Sequence, residues 1–223
     1  MMTCMEDVLR HVIRILSSSL RTGGRLVAID GVDGSGKTSF AARLAAAIDD
    51  RPVIVVHADS FLNPSSIRHG KGRCSPEGFW ADTYDDAALS EHVLRPLGRG
   101  GNGWYSAASY DPVADRTAVT EPVRAPVDAL VLVEGMFLHR DELASHWDAS
   151  VFLDVPFAAT AARMAARDGS NRDPEHPSMR RYVGGQRLYF EAVRPWERAT
   201  VVVDNRDFTA PGIIPAHAVS ALR

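Results

Sequence analysis

The chain reads as a doubly wound α/β protein, with a five-stranded parallel sheet, helices on both faces and an insert after the second strand. Three observations point there. Five short apolar runs, LVAI (26–29), VIVV (53–56), ALVLV (129–133), SVFLDV (150–155) and TVVV (200–203), are rich in β-formers and lack polar alternation. Strands buried on both faces of a parallel sheet have this pattern. Between the runs lie segments with helical spacing, which suits strand–helix–strand crossovers. Finally, the turn GVDGSGKT (31–38) stands between the first run and an amphipathic segment.

In chain order, Val8, Leu9, Val12, Ile13, Leu16 and Leu20 recur at helical spacing, and Gly23-Gly24 stops the pattern. The segment 1–22 is therefore expected to hold a leading amphipathic helix. The first run leads through the glycine turn into a helix with Phe40, Leu44 and Ile48 on one face. Roughly seventy residues then separate the second run from the third, far more than a crossover needs. Residues 60–128 are expected to be an elaboration carrying substrate contacts. FAATAARMAARD (157–168) is an alanine-rich helix, and the loop DGSNRDPEHP after it suits a mobile lid over about residues 163–176. A chain of 223 residues fits one domain, 1–223.

Composition excludes several classes. A hydrophobic fraction of 45% and a charged fraction of 24% match a globular protein. The net charge of −3 gives no field to hold a polyanion, so nucleic acid is not expected as a partner. Cys4 and Cys74 are too few for a disulfide framework or a cysteine zinc site. With no long apolar run and no secretory pattern, no membrane association is expected, and the cytoplasm is the expected location. A homo-oligomer is compatible with all of this.

The glycine turn fits G-x-x-x-x-G-K-[ST] in strand–turn–helix context. Gly31, Val32, Asp33, Gly34, Ser35, Gly36, Lys37, Thr38 and Ser39 are therefore expected to wrap the phosphates of ATP. Backbone N–H groups and the helix dipole attract the phosphates, Lys37 reaches the outer ones, and Thr38 offers a hydroxyl to Mg²⁺. Only two of the 25 basic residues, Lys37 and Lys71, are lysine, and one sits where a compact ammonium is wanted. Ligands of such sheets bind beyond the carboxyl ends of the strands. Asp59 in HADSFLN and Glu134 in VEGMF occupy two such ends. A carboxylate at 59 could orient or deprotonate an acceptor hydroxyl, and Glu134 could hold Mg²⁺ or its waters. The alternative readings are a helix cap and a turn residue.

The ordered set IDGVDGSGKT, HADSF, VLVEGMF and an arginine-bearing helix ending in RDGSNRD resembles the uridine kinase and phosphoribulokinase group of P-loop kinases, over about residues 25–205. The resemblance implies a P-loop NTPase-type fold, Asp59 as catalytic base, Glu134-Gly135 at the metal site, and Arg163, Arg167 and Arg172 as lid arginines that clamp the transferred phosphoryl. Two departures bear on the acceptor. The uridine kinase stretch F-D-H-P-D-A-F-D appears as GFWADTYD, and SYDPVADR lacks a histidine after its tyrosine.

In the insert, Phe79, Trp80, Tyr84, Trp104, Tyr105 and Tyr110 give more than twice the aromatic density of the chain at large. Phe79, Trp80, Tyr84 and Tyr110 could stack a flat substrate, or the rings could form a core for the insert. Asp82 or Asp85 could replace the missing ribose-gripping aspartate. Arg68, His69, Lys71 and Arg73 form a basic cluster, read as a solvated loop face before an anion site. Arg163 and Arg167, at i and i+4, share a helix face, and Arg172 follows in the loop. YVGGQR followed by VVVD mimics the signature order of a transporter ATPase, but Asn205 stands where that reading needs glutamate. Gln186 could still touch substrate.

Together these features predict an ATP-dependent phosphotransferase using Mg²⁺. It would pass the γ-phosphoryl to a hydroxyl of a small metabolite, first a pyrimidine nucleoside. Pantothenate, a sugar, or a regulatory ATPase without acceptor are the alternatives.

Overall fold

The computed structural model describes residues 5–20 and 23–222. Cys4 and the ends of the expected 1–22 segment lie outside them. Within them, the five apolar runs become β1 (Leu26–Gly31), β2 (Val53–His57), β3 (Leu130–Gly135), β4 (Ala149–Asp154) and β5 (Val201–Asp204). These five strands are mutually parallel, in the spatial order β5-β4-β1-β3-β2. A sixth strand, β6 (Gly212–Ile214), extends the β5 edge and runs antiparallel to it, with Ile213 opposite Val203. The five-stranded, wholly parallel expectation misses it because three residues are too short to show a pattern.

Every residue of β1, β3 and β4 is buried. The two-residue period of a strand then splits them between two cores. Val27, Ile29, Leu130, Leu132, Val151 and Leu153 face α1 (Met5–Ser19) and α2 (Lys37–Ala47), meeting Val8, Val12, Leu16, Phe40 and Leu44. Leu26, Ala28, Val131 and Val133 face the opposite way, toward Phe61, Phe79, Phe137 and Tyr189. No helix among the described residues is long and apolar enough to cross a membrane.

The insert is short helices plus two ribbons, Trp104–Tyr105 with Val123–Arg124 and Tyr110–Asp111 with Arg116–Thr117. Its helix α3 (Pro76–Asp82) starts cleanly, with Pro76 in the first turn and the Gly78 N–H donating to Ser75 Oγ at 3.0 Å. Beyond β4 come α4 (Phe157–Asp168) and α5 (Arg180–Val193). The paired glycines of YVGGQR serve packing between α3 and α5. A Cβ on Gly185 would stand 2.8 Å from the Pro76 carbonyl oxygen and from the Phe79 ring, and one on Gly184 2.8 Å from the Pro76 ring.

Asp30, at the end of β1, is completely buried. Its Oδ1 accepts the Gly31 N–H at 2.6 Å, and its Oδ2 accepts from the His139 backbone N–H at 3.2 Å and from the Tyr189 hydroxyl. The His139 ring joins the same oxygen through Nδ1 at 2.7 Å, while its Nε2 meets Ser150 Oγ at 2.9 Å. Burial alone would raise the Asp30 pKa; the His139 pairing, the Tyr189 hydroxyl and the Lys37 charge outweigh it and hold the carboxyl below its ordinary 3.8. One carboxylate thus ties the start of the glycine turn to the loop after β3 and to α5.

Two stability predictions follow from this packing. Helix propensity alone favours Gly185→Ala by up to about 1 kcal/mol. Because the methyl meets backbone, the expected outcome is instead a loss of about 1–3 kcal/mol, read as a lower Tm, and a gain would contradict the α3–α5 contact. Asp30→Ala is expected to cost about 3–5 kcal/mol at neutral pH by leaving its partners unpaired. A depressed carboxylate pKa adds stability above the unfolded value of 3.8 and loses it as pH falls through the folded one. The gap between wild type and Asp30→Ala in urea melts is therefore expected to shrink below about pH 4.

Candidate functional site

Beyond the carboxyl ends of β1, β2 and β3 opens a cleft of about 610 Å³. The glycine turn, Asp59, Tyr84, Glu134-Gly135-Met136, Arg163, Met164, Arg167 and Phe208 line it. The turn makes its floor. Gly34 and Gly36 have φ of +74° and +90°, which a side-chain-bearing residue adopts only with strain. Lys37 folds back so that Nζ donates to the Val32 carbonyl at 2.9 Å, capping the turn with its own cation.

On one wall, Thr38 Oγ1 donates to Glu134 Oε1 at 3.0 Å, and His57 Nδ1 meets the same oxygen at 2.6 Å. Glu134 is buried and His57 about half exposed. The parallel register sets this contact, since His57 lies directly beside Glu134. A hydroxyl and a carboxylate side by side next to a phosphate loop are oxygen donors of the kind Mg²⁺ takes, alongside waters and phosphate oxygens. The residues therefore fit that ion.

Asp59 sits on the 3₁₀ turn Ala58–Phe61 that leaves β2. Its Oδ1 accepts the Tyr84 hydroxyl at 2.7 Å, and the Met136 N–H approaches the same phenol at 3.5 Å. Burial, then the Asp59 charge, pushes the Tyr84 phenol well above its ordinary 10.0, so it stays a donor. Tyr84 thereby fixes one carboxylate oxygen and leaves the other for the cleft.

On the facing side, Arg163 donates to the Gly34 carbonyl at 3.1 Å and to the Asn205 and Arg206 carbonyls at 2.9 and 2.8 Å. Its guanidinium lies 3.7 Å from the centre of the Phe208 ring. Arg167, on the same face of α4, reaches Asp33 of the turn at 3.4 Å and Asp168 at 2.8 Å.

The structure distributes the remaining expected residues differently. Arg172 lies outside this cleft, in a separate hollow with Ser170, Asn171, Ser178 and Tyr182. Gln186 is buried; its Oε1 accepts the Asp33 N–H at 2.7 Å, so it braces the glycine turn from behind. Of the rings expected to stack a substrate, Tyr84 reaches the cleft by its hydroxyl. Phe79 is buried edge-on to Phe137 and Tyr182, and Trp80 packs between Phe137, Tyr189 and the Arg140 guanidinium 4.4 Å away. Tyr110 is held within the insert by Asp115 at 2.8 Å and Arg68 at 3.1 Å. Asp82 takes both its oxygens to Lys71, at 2.9 and 2.7 Å, and Asp85 caps its own helix. Of the basic cluster, Arg68 is held on the Asn63 carbonyl and Lys71 on Asp82, while Lys71 and Arg73 are exposed.

Sequence reasoning overlooked His57, whose place at a strand end could have marked it, and Met136. Phe208 carried no signal, because only the chain's return after β5 brings it to the turn.

Among known proteins, no family model matches the chain. It is 25% identical over 148 residues to a uridine kinase of Clostridium novyi (strain NT), covering 66% of this chain and 69% of that protein. A solved structure named as a possible uridine kinase from Bacillus stearothermophilus superposes with a TM-score of 0.62 at 23% identity, over 86% of this chain and 98% of that one. A protein named as a fructose transport system kinase from Silicibacter sp. TM1040 gives 0.65 at 24% identity, over 86% and 96%. The chain is thus similar to the uridine kinase and phosphoribulokinase-like P-loop kinases, and its fold is theirs: a mainly parallel sheet flanked by helices.

Proposed function

We propose that the protein is an ATP-dependent small-molecule kinase. The observation that carries this is the meeting, in one cleft, of the phosphate loop with two independent carboxylates, Glu134 against Thr38 and Asp59 against Tyr84. A bare nucleotide switch needs the first pair only. In this reading the acceptor hydroxyl gives its proton to Asp59 as its oxygen bonds to the γ-phosphorus, and the bond from that phosphorus to the ADP oxygen breaks. Tyr84 holds the Asp59 carboxylate in register for that transfer. Lys37 and the turn amides bind phosphate, and Arg167 exchanges Asp33 for the transferring group as its charge spreads. Thr38 and Glu134 would hold Mg²⁺, which neutralises phosphate charge when bound.

A pyrimidine nucleoside is the first acceptor to test, on the likeness to a uridine kinase. A sugar or another alcohol such as pantothenate is the second reading. One observation favours it: Asp82 is spent on Lys71 and Asp85 on a helix cap, so neither stands free to grip a ribose. ADP release measured with uridine, cytidine, pantothenate, sugars and no acceptor is expected to rise above background with one class only. Release that no acceptor raises would leave a regulatory ATPase.

With the responding acceptor, Asp59→Asn is expected to lower kcat about 10²–10⁴-fold with ATP affinity little changed. Lys37→Ala is expected to abolish turnover by weakening the nucleotide complex. Unaltered kcat in Asp59→Asn would demote that carboxylate to a turn residue.

A further inference from the structure

β2 ends on His57, a side chain that stands outside the cleft lining yet touches one of its carboxylates. Its Nδ1 lies 2.6 Å from Glu134 Oε1, and Thr38 Oγ1 donates to the same oxygen at 3.0 Å. Glu134 serves a cation only as a carboxylate, and a carboxylate only accepts, so Nδ1 carries the hydrogen. Two donors thus converge on Oε1 from different elements, one from the helix after the turn and one from the edge strand of the sheet. Oε2 is left for the cleft that Glu134 lines.

Each bond restricts a motion that would loosen a cation site. The terminal torsion of a glutamate is broad, so a carboxylate held by one donor swings. The second donor removes that freedom. A threonine hydroxyl has one hydrogen and two lone pairs, and its hydrogen turns toward the nearest acceptor. With Oε1 fixed by His57, the Thr38 hydrogen goes to Glu134 and its lone pairs are left for a cation.

Close packing sets the place of the ring. Ala58 is fully buried, and Gly135 stands so near it that a Cβ on the glycine would overlap the alanine methyl. The segment HAD is thereby locked against VEG. His57 lies beside Glu134 on one side of Ala58, and Asp59 accepts the Tyr84 hydroxyl on the other. The imidazole is 48% exposed and the Glu134 side chain 8%, so the ring has little packing to supply and a buried acceptor to hold.

We propose that His57 is a positioning residue for the metal side of the site: by donating to Glu134, it holds the Glu134–Thr38 pair in the arrangement that takes Mg²⁺. The inference rests on the kinase reading above and names the residue that tunes its metal affinity. Partners that orient a ligating group in this way are worth about 10–100-fold in metal affinity.

Calorimetric titration of the intact chain with ATP, in excess MgCl₂ and separately in EDTA, reads this role without turnover. Wild type is expected to bind ATP more tightly with Mg²⁺ than in EDTA. His57→Ala is expected to lose about tenfold or more of that gain, with the affinity in EDTA and the Tm unchanged. His57→Asn, whose side-chain N–H takes the place of Nδ1–H, is expected to recover most of the gain. Equal loss in both titrations, a full gain in His57→Ala, or an asparagine variant no better than alanine overturns the positioning role and leaves the phosphate loop standing. A wild type that binds ATP equally in both media overturns the metal site and the role of His57 with it. Failure to bind ATP in either medium overturns the nucleotide reading as well.

Discussion

The Asp30 carboxylate is the constraint on which the rest of the site depends. An ionised group without solvent is tolerable only when its partners surround it, and here they arrive from three separate stretches of chain. Gly31 begins the phosphate turn, His139 lies in the loop after β3, the strand that carries Glu134, and Tyr189 lies on the helix that carries Gln186. Because that helix also presents Gln186 to the Asp33 N–H, the first half of the turn is gripped at two points by the same scaffold. Ser150, His139 and Asp30 even fall in the order of a hydrolytic triad, but all three are buried and the serine oxygen is engaged by the Thr200 backbone N–H at 3.3 Å. The arrangement is a brace.

Sheet geometry converts this brace into a site. β1 lies between β3 and β4, so its end is flanked by Gly135 and Phe152, and the polar residues just past β2 and β3 are delivered to the same rim. His57, Glu134 and Thr38 meet because a parallel register places the first two side by side and the helix after the turn presents the third. Polar groups are thus concentrated where the strands stop, while their interiors supply mainly apolar surface.

What the sequence disclosed, and what it did not, divides along local and distant contacts. The five parallel strands, the turn and the two strand-end carboxylates are written in a few consecutive residues each, because burial on both faces, left-handed glycines and a polar residue at a strand end are local demands. Phe79 and Trp80 show the limit. An aromatic residue in an insert satisfies a core and a substrate platform equally well, and only the arrival of Phe137 and Tyr189 from distant segments decides for the core. Gln186 follows the same logic, as does Arg172, whose loop carries it to a separate hollow. Asn205 was visible as the wrong residue for another enzyme class; its buried, unpaired oxygen belongs to the tertiary structure alone.

The ion pair between Arg167 and Asp33 carries a further consequence. The turn that must attract phosphate holds a carboxylate of its own, and an arginine from α4 already leans on it. An incoming polyphosphate therefore meets an internal competitor with the same sign of charge. An anion that takes Arg167 from Asp33 must offset the carboxylate charge it uncovers on the turn. The charge balance of the turn is in this way set by α4, a separate stretch of the chain.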